Sequence, residues 1–246
     1  MHGDWVSFID SDDWLEDTMY EKMITLAKKS QSDIVECEVY DEKESGTGLR
    51  NIWGMSDENE AVHEGSARWL FGLAYTPALW NKLIKTELIC GTQFSENCRY
   101  GEDALFLTEA MRNAKRISCS SVYLYHYRSE RAGNVFSASI SDKIFDFLQS
   151  YGEICETLVQ IGQDEAAGQL VYTTAVQVIS KLSLKGDMSR YCKELKRFIN
   201  KYNAQFRLIY PNYRRSRLRI ILVKIARLSP MLSAALWNGK EVLKGR

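Results

Sequence analysis

The chain has 246 residues, 45% hydrophobic and 26% charged, with only 3 Pro and 15 Gly. That composition suits one or two globular domains with a real core and excludes long disordered or low-complexity stretches. The net charge of zero hides a split: residues 1–139 carry 14 Lys+Arg against 23 Asp+Glu, and residues 140–246 carry 18 against 9. An acidic part joined to a basic part that faces an anionic partner is one reading; two halves that attract each other is the other. The six cysteines form no C-x-x-C pair and no His stands at zinc-ligand spacing, so reduced thiols in a cytoplasmic protein are expected. Met1-His2-Gly3-Asp4 opens no secretory signal.

Trp5–Ile9 is a short apolar run rich in aromatic and β-branched residues, which predicts a buried strand. It ends in Asp10, Asp12 and Asp13. Carboxylates are costly to bury unless paired or holding a cation, so they belong past the strand's carboxyl end, where open α/β sheets bind ligands. Asp-x-Asp in one tight turn offers hard oxygen ligands to Mg²⁺ or Mn²⁺. The plainer reading is a polar turn in which Asp13 or Asp17 caps the next helix.

Residues 15–30 predict a helix with Met19, Met23, Leu26 and Ala27 on one face. Residues 33–40 alternate as a strand, and 41–60 read as an exposed loop or hairpin tip. A helix is expected over 63–73, with Ala67, Leu70 and Phe71 inward. Trp80 and Lys82 read from the residues alone as core and a solvated charge, since aromatic residues are mostly core. A helix begins near Gly101, placing Glu102 and Asp103 in its first turn, where the dipole favours acids. Residues 115–121 suggest a short edge strand or turn, and 122–127 a strand. His126 is either a ligand or a hydrogen-bonded core residue. Arg128 and Arg131 have the forks that clamp phosphate, and Gly133 frees the segment after it to cover a substrate. Helical spacing then runs over 140–161, 165–184 and 188–202. The end, 213–246, is basic and apolar but too interrupted to span a bilayer. It predicts an amphipathic helix on an anionic membrane, with Trp237 at headgroup level; docking on the acidic half is the alternative. No nucleic-acid signature accompanies it.

The phrase G-D-W-V-S-F-I-D-S-D-D-W-L, the W-N-K-L segment, Glu102-Asp103 and the Tyr-rich strand closing in Tyr127-Arg128 together resemble family 2 glycosyltransferases of the GT-A fold. The resemblance covers about residues 3–137. It implies an α/β fold: the carboxyl-terminal part of a GT-A nucleotide-sugar transferase domain, a mixed sheet with flanking helices, followed by an all-helical extension. The parts would be 1–138, 139–212 and 213–246. It also implies that the chain is amino-terminally incomplete, since the family's opening strands and base-facing segment are not found before Met1.

By the same resemblance Asp10 faces the ribose, and Asp12 binds Mg²⁺ or Mn²⁺ under the donor's diphosphate. His126 is a possible further metal ligand. Asp103, beside Glu102, is the base that activates an acceptor hydroxyl for an inverting displacement. Arg128 and Arg131 meet phosphate. Trp80 and Lys82 border the acceptor, as an apolar platform for a sugar ring and a phosphate contact. The implied partners are a nucleotide-sugar donor and a saccharide or lipid-linked saccharide acceptor, in cell-surface polysaccharide or glycolipid assembly on the inner face of the membrane. The rival readings are a catalytically incomplete remnant serving as a partner-binding module, and a metal-dependent phosphohydrolase.

Overall fold

The computed structural model describes residues 3–50, 60–65, 69, 77–96, 98, 100–129, 142–182, 188–209 and 217–244. The chain folds as two units, residues 1–95 with 103–137, and residues 96–102 with 138–246.

The first unit is built on a mixed sheet. Its strands are β1 (Trp5–Ser7), β2 (Trp14–Leu15), β3 (Ile34–Lys43), β4 (Gly46–Arg50), β5 (Glu60–Glu64), β6 (Lys82–Lys85) and β7 (Arg116–Arg128). The order is β1-β6-β3-β7-β2, with β4 on β3 and β5 on β7. β3 and β7 run parallel and the other pairs antiparallel. Helices α1 (Met19–Ser30), α2 (Thr86–Ile89) and α3 (Glu102–Asn113) complete it. Met19, Met23, Leu26 and Ala27 of α1 are buried against Val35, Cys37, Val39, Leu83, Leu124 and Tyr125, as the apolar stripe predicts. Leu124 and Tyr125 are neighbours yet share that core, because the β3–β7 register shifts between Glu36 and Val39. A bulge of this kind breaks the in–out alternation of a strand.

β1 and β2 stand at opposite ends of the strand order, joined by Phe8–Asp13. Four strand spacings in a flat sheet come to ~19 Å. The seven steps from Ser7 to Trp14 reach only ~24 Å at full stretch, and a turn takes up part of that. The connection can just cover that distance, so the acidic turn runs across the end of the sheet.

Several elements depart from expectation. The strand from residue 33 continues to Lys43 and turns through Glu44-Ser45 into β4, so part of the expected loop is a hairpin. Gly46 takes φ +124° there, open to glycine at little cost. Glu60–Glu64 pairs antiparallel with β7, so His63 and Glu64 lie in a strand, not at a helix start. Its exposure alternates with period two, which is strand and not helix geometry. Ala67, Leu70 and Phe71 lie outside the described residues. Residues 116–128 form one strand between β3 on one side and β5 and β2 on the other; it is not an edge.

The regular elements of the second unit, among the described residues, are helices: α4 (Lys143–Gln160), α5 (Asp164–Lys181), α6 (Ser189–Lys201), α7 (Asn203–Leu208), α8 (Arg217–Ala226) and α9 (Pro230–Lys244). α5 is the central helix, touching α4 and every helix after it. Its Gly168 lets the α7 backbone pass so close that a Cβ would sit 2.2 Å from the Gln205 carbonyl oxygen. The basic end is two helices, α8 and α9, where one was expected.

Asp33 holds three strands of the first unit in register. Its carboxylate accepts from Lys85 Nζ (2.7 Å), Lys115 N (2.7 Å) and Arg116 N (3.1 Å). Burial pushes its pKa up, but these bonds outweigh burial and hold it below the ordinary value. Asp33→Asn should cost about 1–3 kcal/mol by urea unfolding at neutral pH. A lowered folded pKa means the stabilisation is complete above the ordinary carboxylate pKa of 3.8 and is lost as pH falls through the lower folded value. The gap between wild type and variant should therefore close only below pH 3.8.

Candidate active site

Past β1 the chain turns at Asp10, with Asp13 N–H donating to the Asp10 carbonyl (3.1 Å). Carboxylate oxygens of Asp10, Asp12 and Asp13 come within 4.8 Å of one another. Three like charges this close repel unless donors or a cation offset them. Tyr125 on β7 supplies part of the offset: its hydroxyl accepts from Asp10 N–H (3.3 Å) and donates to Asp13 Oδ2 (2.7 Å). Burial, then the bond to Asp13, pushes the Tyr125 pKa up, so the hydroxyl stays a donor. Arg128 N–H donates to Asp13 Oδ1 (2.9 Å). Both Asp13 oxygens thus accept from β7, which makes Asp13 the brace of the turn. The convergent oxygens of Asp10 and Asp12 beside it are the donor set that a hard divalent cation takes, so the residues fit Mg²⁺ or Mn²⁺.

Tyr125 is itself supported. Trp80 stacks on its ring (4.9 Å, 28°) and on Tyr127 (5.1 Å, 13°), and Arg50 lies over Tyr127 (4.7 Å). Asn81 holds Trp80 in place: its Nδ2 donates to the Cys37 carbonyl (3.0 Å), and its own carbonyl accepts from Cys37 N–H (3.2 Å).

The second acidic segment begins α3. Phe106, one turn after Asp103, stacks on Phe94 (4.4 Å) and meets Phe8 edge-on (5.5 Å, 77°). Phe8 is two residues before Asp10. The ring contact brings the start of α3 beside the end of β1. Glu102 is the first residue of α3.

The model of the family described as Glycosyl transferase family 2 matches residues 1–112. The curated relatives include the uncharacterized glycosyltransferase EpsJ of Bacillus subtilis (strain 168), 25% identical over 51% of this chain and 38% of that protein. Another is the uncharacterized glycosyltransferase YibD of Escherichia coli (strain K12), 24% identical over 74% of this chain and 55% of that protein. The chain therefore spans about half the length, or less, of these relatives. Among solved structures, S. aureus TarS 1-349 in complex with UDP-GlcNAc matches with TM-score 0.66 and 20% identity, over 95% of this chain and 66% of that one. TarS 1-349 in complex with UDP matches with TM-score 0.64 and 17% identity, over 98% of this chain and 68% of that one.

Residues 1–112 carry the likeness to glycosyltransferase family 2. The sheet with its flanking helices is the GT-A arrangement.

Two expected site residues are placed elsewhere. Lys82 is wholly buried, 3.0 Å from Glu36 and bonded to the Ala78 carbonyl (2.6 Å) and Asn81 Oδ1 (3.1 Å). It serves the sheet interior, where an unpaired charge would be costly, and not a phosphate at the surface. His126 projects away from the acidic turn. Its Nδ1 bonds Glu42 Oε1 (2.8 Å), its Nε2 bonds Glu16 Oε1 (3.0 Å), and its ring lies between Trp14 (4.9 Å) and Tyr40 (4.4 Å). A metal ligand needs a ring nitrogen with a lone pair to give, and here both face carboxylates. Hydrogen bonds from Thr47 and His126 hold the Glu42 carboxyl below its ordinary pKa.

Arg128 is exposed, with its guanidinium over Trp14 (5.6 Å), next to Asp13. Trp80 is half-buried, its ring committed to the tyrosines. Arg131 and Gly133 lie outside the described residues. Neither Asp13 nor Asp17 caps α1; Thr18 occupies that position without a side-chain bond.

Tyr125 was hidden in the sequence among four tyrosines of β3 and β7, with nothing in its spacing to mark its hydroxyl. Tyr125→Phe keeps the ring stack and deletes both bonds. It should destabilise by about 1–3 kcal/mol. Amide hydrogen exchange at Asp10 should quicken while that of the β3 interior is unchanged.

Proposed function

We propose that this protein moves a sugar from a nucleotide-sugar donor to a hydroxyl acceptor with inversion, in cell-surface polysaccharide or glycolipid assembly. The observation that carries this reading is the convergence of the Asp10, Asp12 and Asp13 carboxylates within 4.8 Å at the end of β1, in a family 2 segment. The TarS structures hold UDP-GlcNAc and UDP, which favours a uridine diphosphate donor here.

Asp12, with Asp10, would hold Mg²⁺ or Mn²⁺; the bound ion offsets the charge of the departing diphosphate. Asp10 also faces the ribose. The exposed Arg128 guanidinium, with Arg131, meets phosphate oxygens. Asp103 takes the proton of the acceptor hydroxyl as that oxygen attacks the anomeric carbon, from the face opposite the leaving group. Glu102 stands beside it at the head of α3. Trp80 borders the acceptor. The protein works on the cytoplasmic side, with its basic end against the membrane.

A second reading rests on length. Because the chain spans 38% to 55% of these curated relatives, it would act as a partner-binding module if the donor pocket needs more than these residues.

UDP binding measured by calorimetry separates the two. Binding that requires Mn²⁺ and weakens at least about tenfold in Asp12→Ala supports the transferase. No binding by the well-folded chain supports the module. Asp103→Asn should keep nucleotide binding and lose about 10²–10⁴-fold in sugar transfer. Unchanged transfer would remove Asp103 as the base.

A further inference from the structure

The geometry points to the hairpin of α8 and α9 as the element that seats this protein on a bilayer rich in anionic lipids, with Leu228 at its tip. This deepens the membrane contact proposed above by assigning it to particular side chains, and it is independent of the chemistry at Asp12 and Asp103.

The two helices divide their apolar residues sharply. Ile220, Leu222, Val223, Ala226 and Ala234 are buried within the helical unit. Leu218, Ile221, Leu232 and Leu236 are 42–52% exposed, and Leu228 is 79% exposed. Leu218 and Ile221 recur at helical spacing along the outer side of α8, with half-buried Ile225 next in the series. Leu228, Leu232 and Leu236 follow every fourth position into α9. Isolated exposed leucines are ordinary, but a run of them along one hairpin marks a surface that docks.

The tip is held rigidly. Leu228 N–H donates to the Ile225 carbonyl (2.9 Å), and Ser229 Oγ accepts from Leu232 N–H (3.3 Å). Pro230 takes the first helical position, where no donor is lost. Ser233 Oγ donates to the Leu222 carbonyl (2.8 Å), tying the helices together from inside. A preformed tip loses little conformational freedom on binding.

Charge selects the partner. Residues 217–244 contain six basic residues, Arg217, Arg219, Lys224, Arg227, Lys240 and Lys244, against one acid, Glu241. On α8, Arg217 and Lys224 are exposed beside Leu218 and Ile221. A second copy of this surface would repel the first, whereas anionic headgroups over hydrocarbon match both its charge and its leucines. No helix among the described residues is long and apolar enough to cross a membrane, so the hairpin lies on the surface. Trp237, expected at headgroup level, is half-buried with the Arg219 guanidinium over its ring (5.7 Å), so the exposed leucines take that place.

The test is flotation of the whole chain with vesicles of neutral lipid, or with about one-third anionic lipid, at low salt and at about 0.5 M salt. Wild type should partition at least about tenfold better onto anionic vesicles, and less so at high salt. Leu228→Glu with Leu232→Glu should cut partitioning about tenfold while leaving Tm and far-UV circular dichroism unchanged, since both side chains are exposed. Arg217→Gln with Lys224→Gln should flatten the salt dependence. If wild type ignores anionic vesicles, both the membrane contact and this surface are wrong. If wild type binds and the leucine variant binds equally, only the hairpin assignment fails. A wild-type dimer that the leucine variant splits, seen by light scattering, would reassign the surface to copies of this chain.

Discussion

One hydroxyl group organises the acidic end of the sheet. Tyr125 Oη takes the amide hydrogen of Asp10 and gives its own to Asp13, so a single atom spans the turn. Without it, three carboxylates would crowd together with fewer donors to hold them. Its placement depends in turn on the Trp80 stack and on the Asn81 clasp to β3. The position of the acids is thus decided by β3 and β7, strands distant in sequence from the turn itself. Local sequence brings the charges together, and tertiary structure determines which of them does what. Asp13 becomes a brace because β7 offers it two donors.

The β7 strand carries two aromatic assemblies on its two faces. Tyr125 and Tyr127 stack under Trp80 toward α1. On the other side, the rings of Trp14, His126, Tyr40 and Tyr123 form a series with Arg128 at its end. The first assembly holds the turn from below. The second fastens β2, the strand that follows the turn, through Trp14 and through the Glu16 bond to His126. The turn is therefore gripped on both sides by one strand.

Much of this was legible in the chain. The Met19-to-Ala27 stripe and the helix head at Glu102 follow from local rules of period and charge. So do the three long helices after residue 140. The run before the three acids does form a strand, but only over Trp5–Ser7, half-buried at the end of the strand order with Ile9 exposed, where a buried strand was expected. What was hidden depends on contacts between distant residues. Lys82 looked like a surface charge because its partner, Glu36, lies 46 positions away and faces it only once β3 and β6 pair. His126 looked like a ligand because Glu16 and Glu42 reach it from other strands. The bulge between β3 and β7 leaves no mark on composition, yet it sends Leu124 and Tyr125 into the same core. The basic end read as one helix because Pro230 fits a first helical position as well as a break, and only packing distinguishes hairpin from rod.

β2 is two residues long and pairs with β7 at only Trp14 and Leu15. So short a ladder is among the elements of a sheet that open first, at a small fraction of the global unfolding cost. The turn it anchors carries the carboxylates, so a ligand that met the acids only with β2 paired would zip the strand, and a frayed strand would weaken the grip by the same factor.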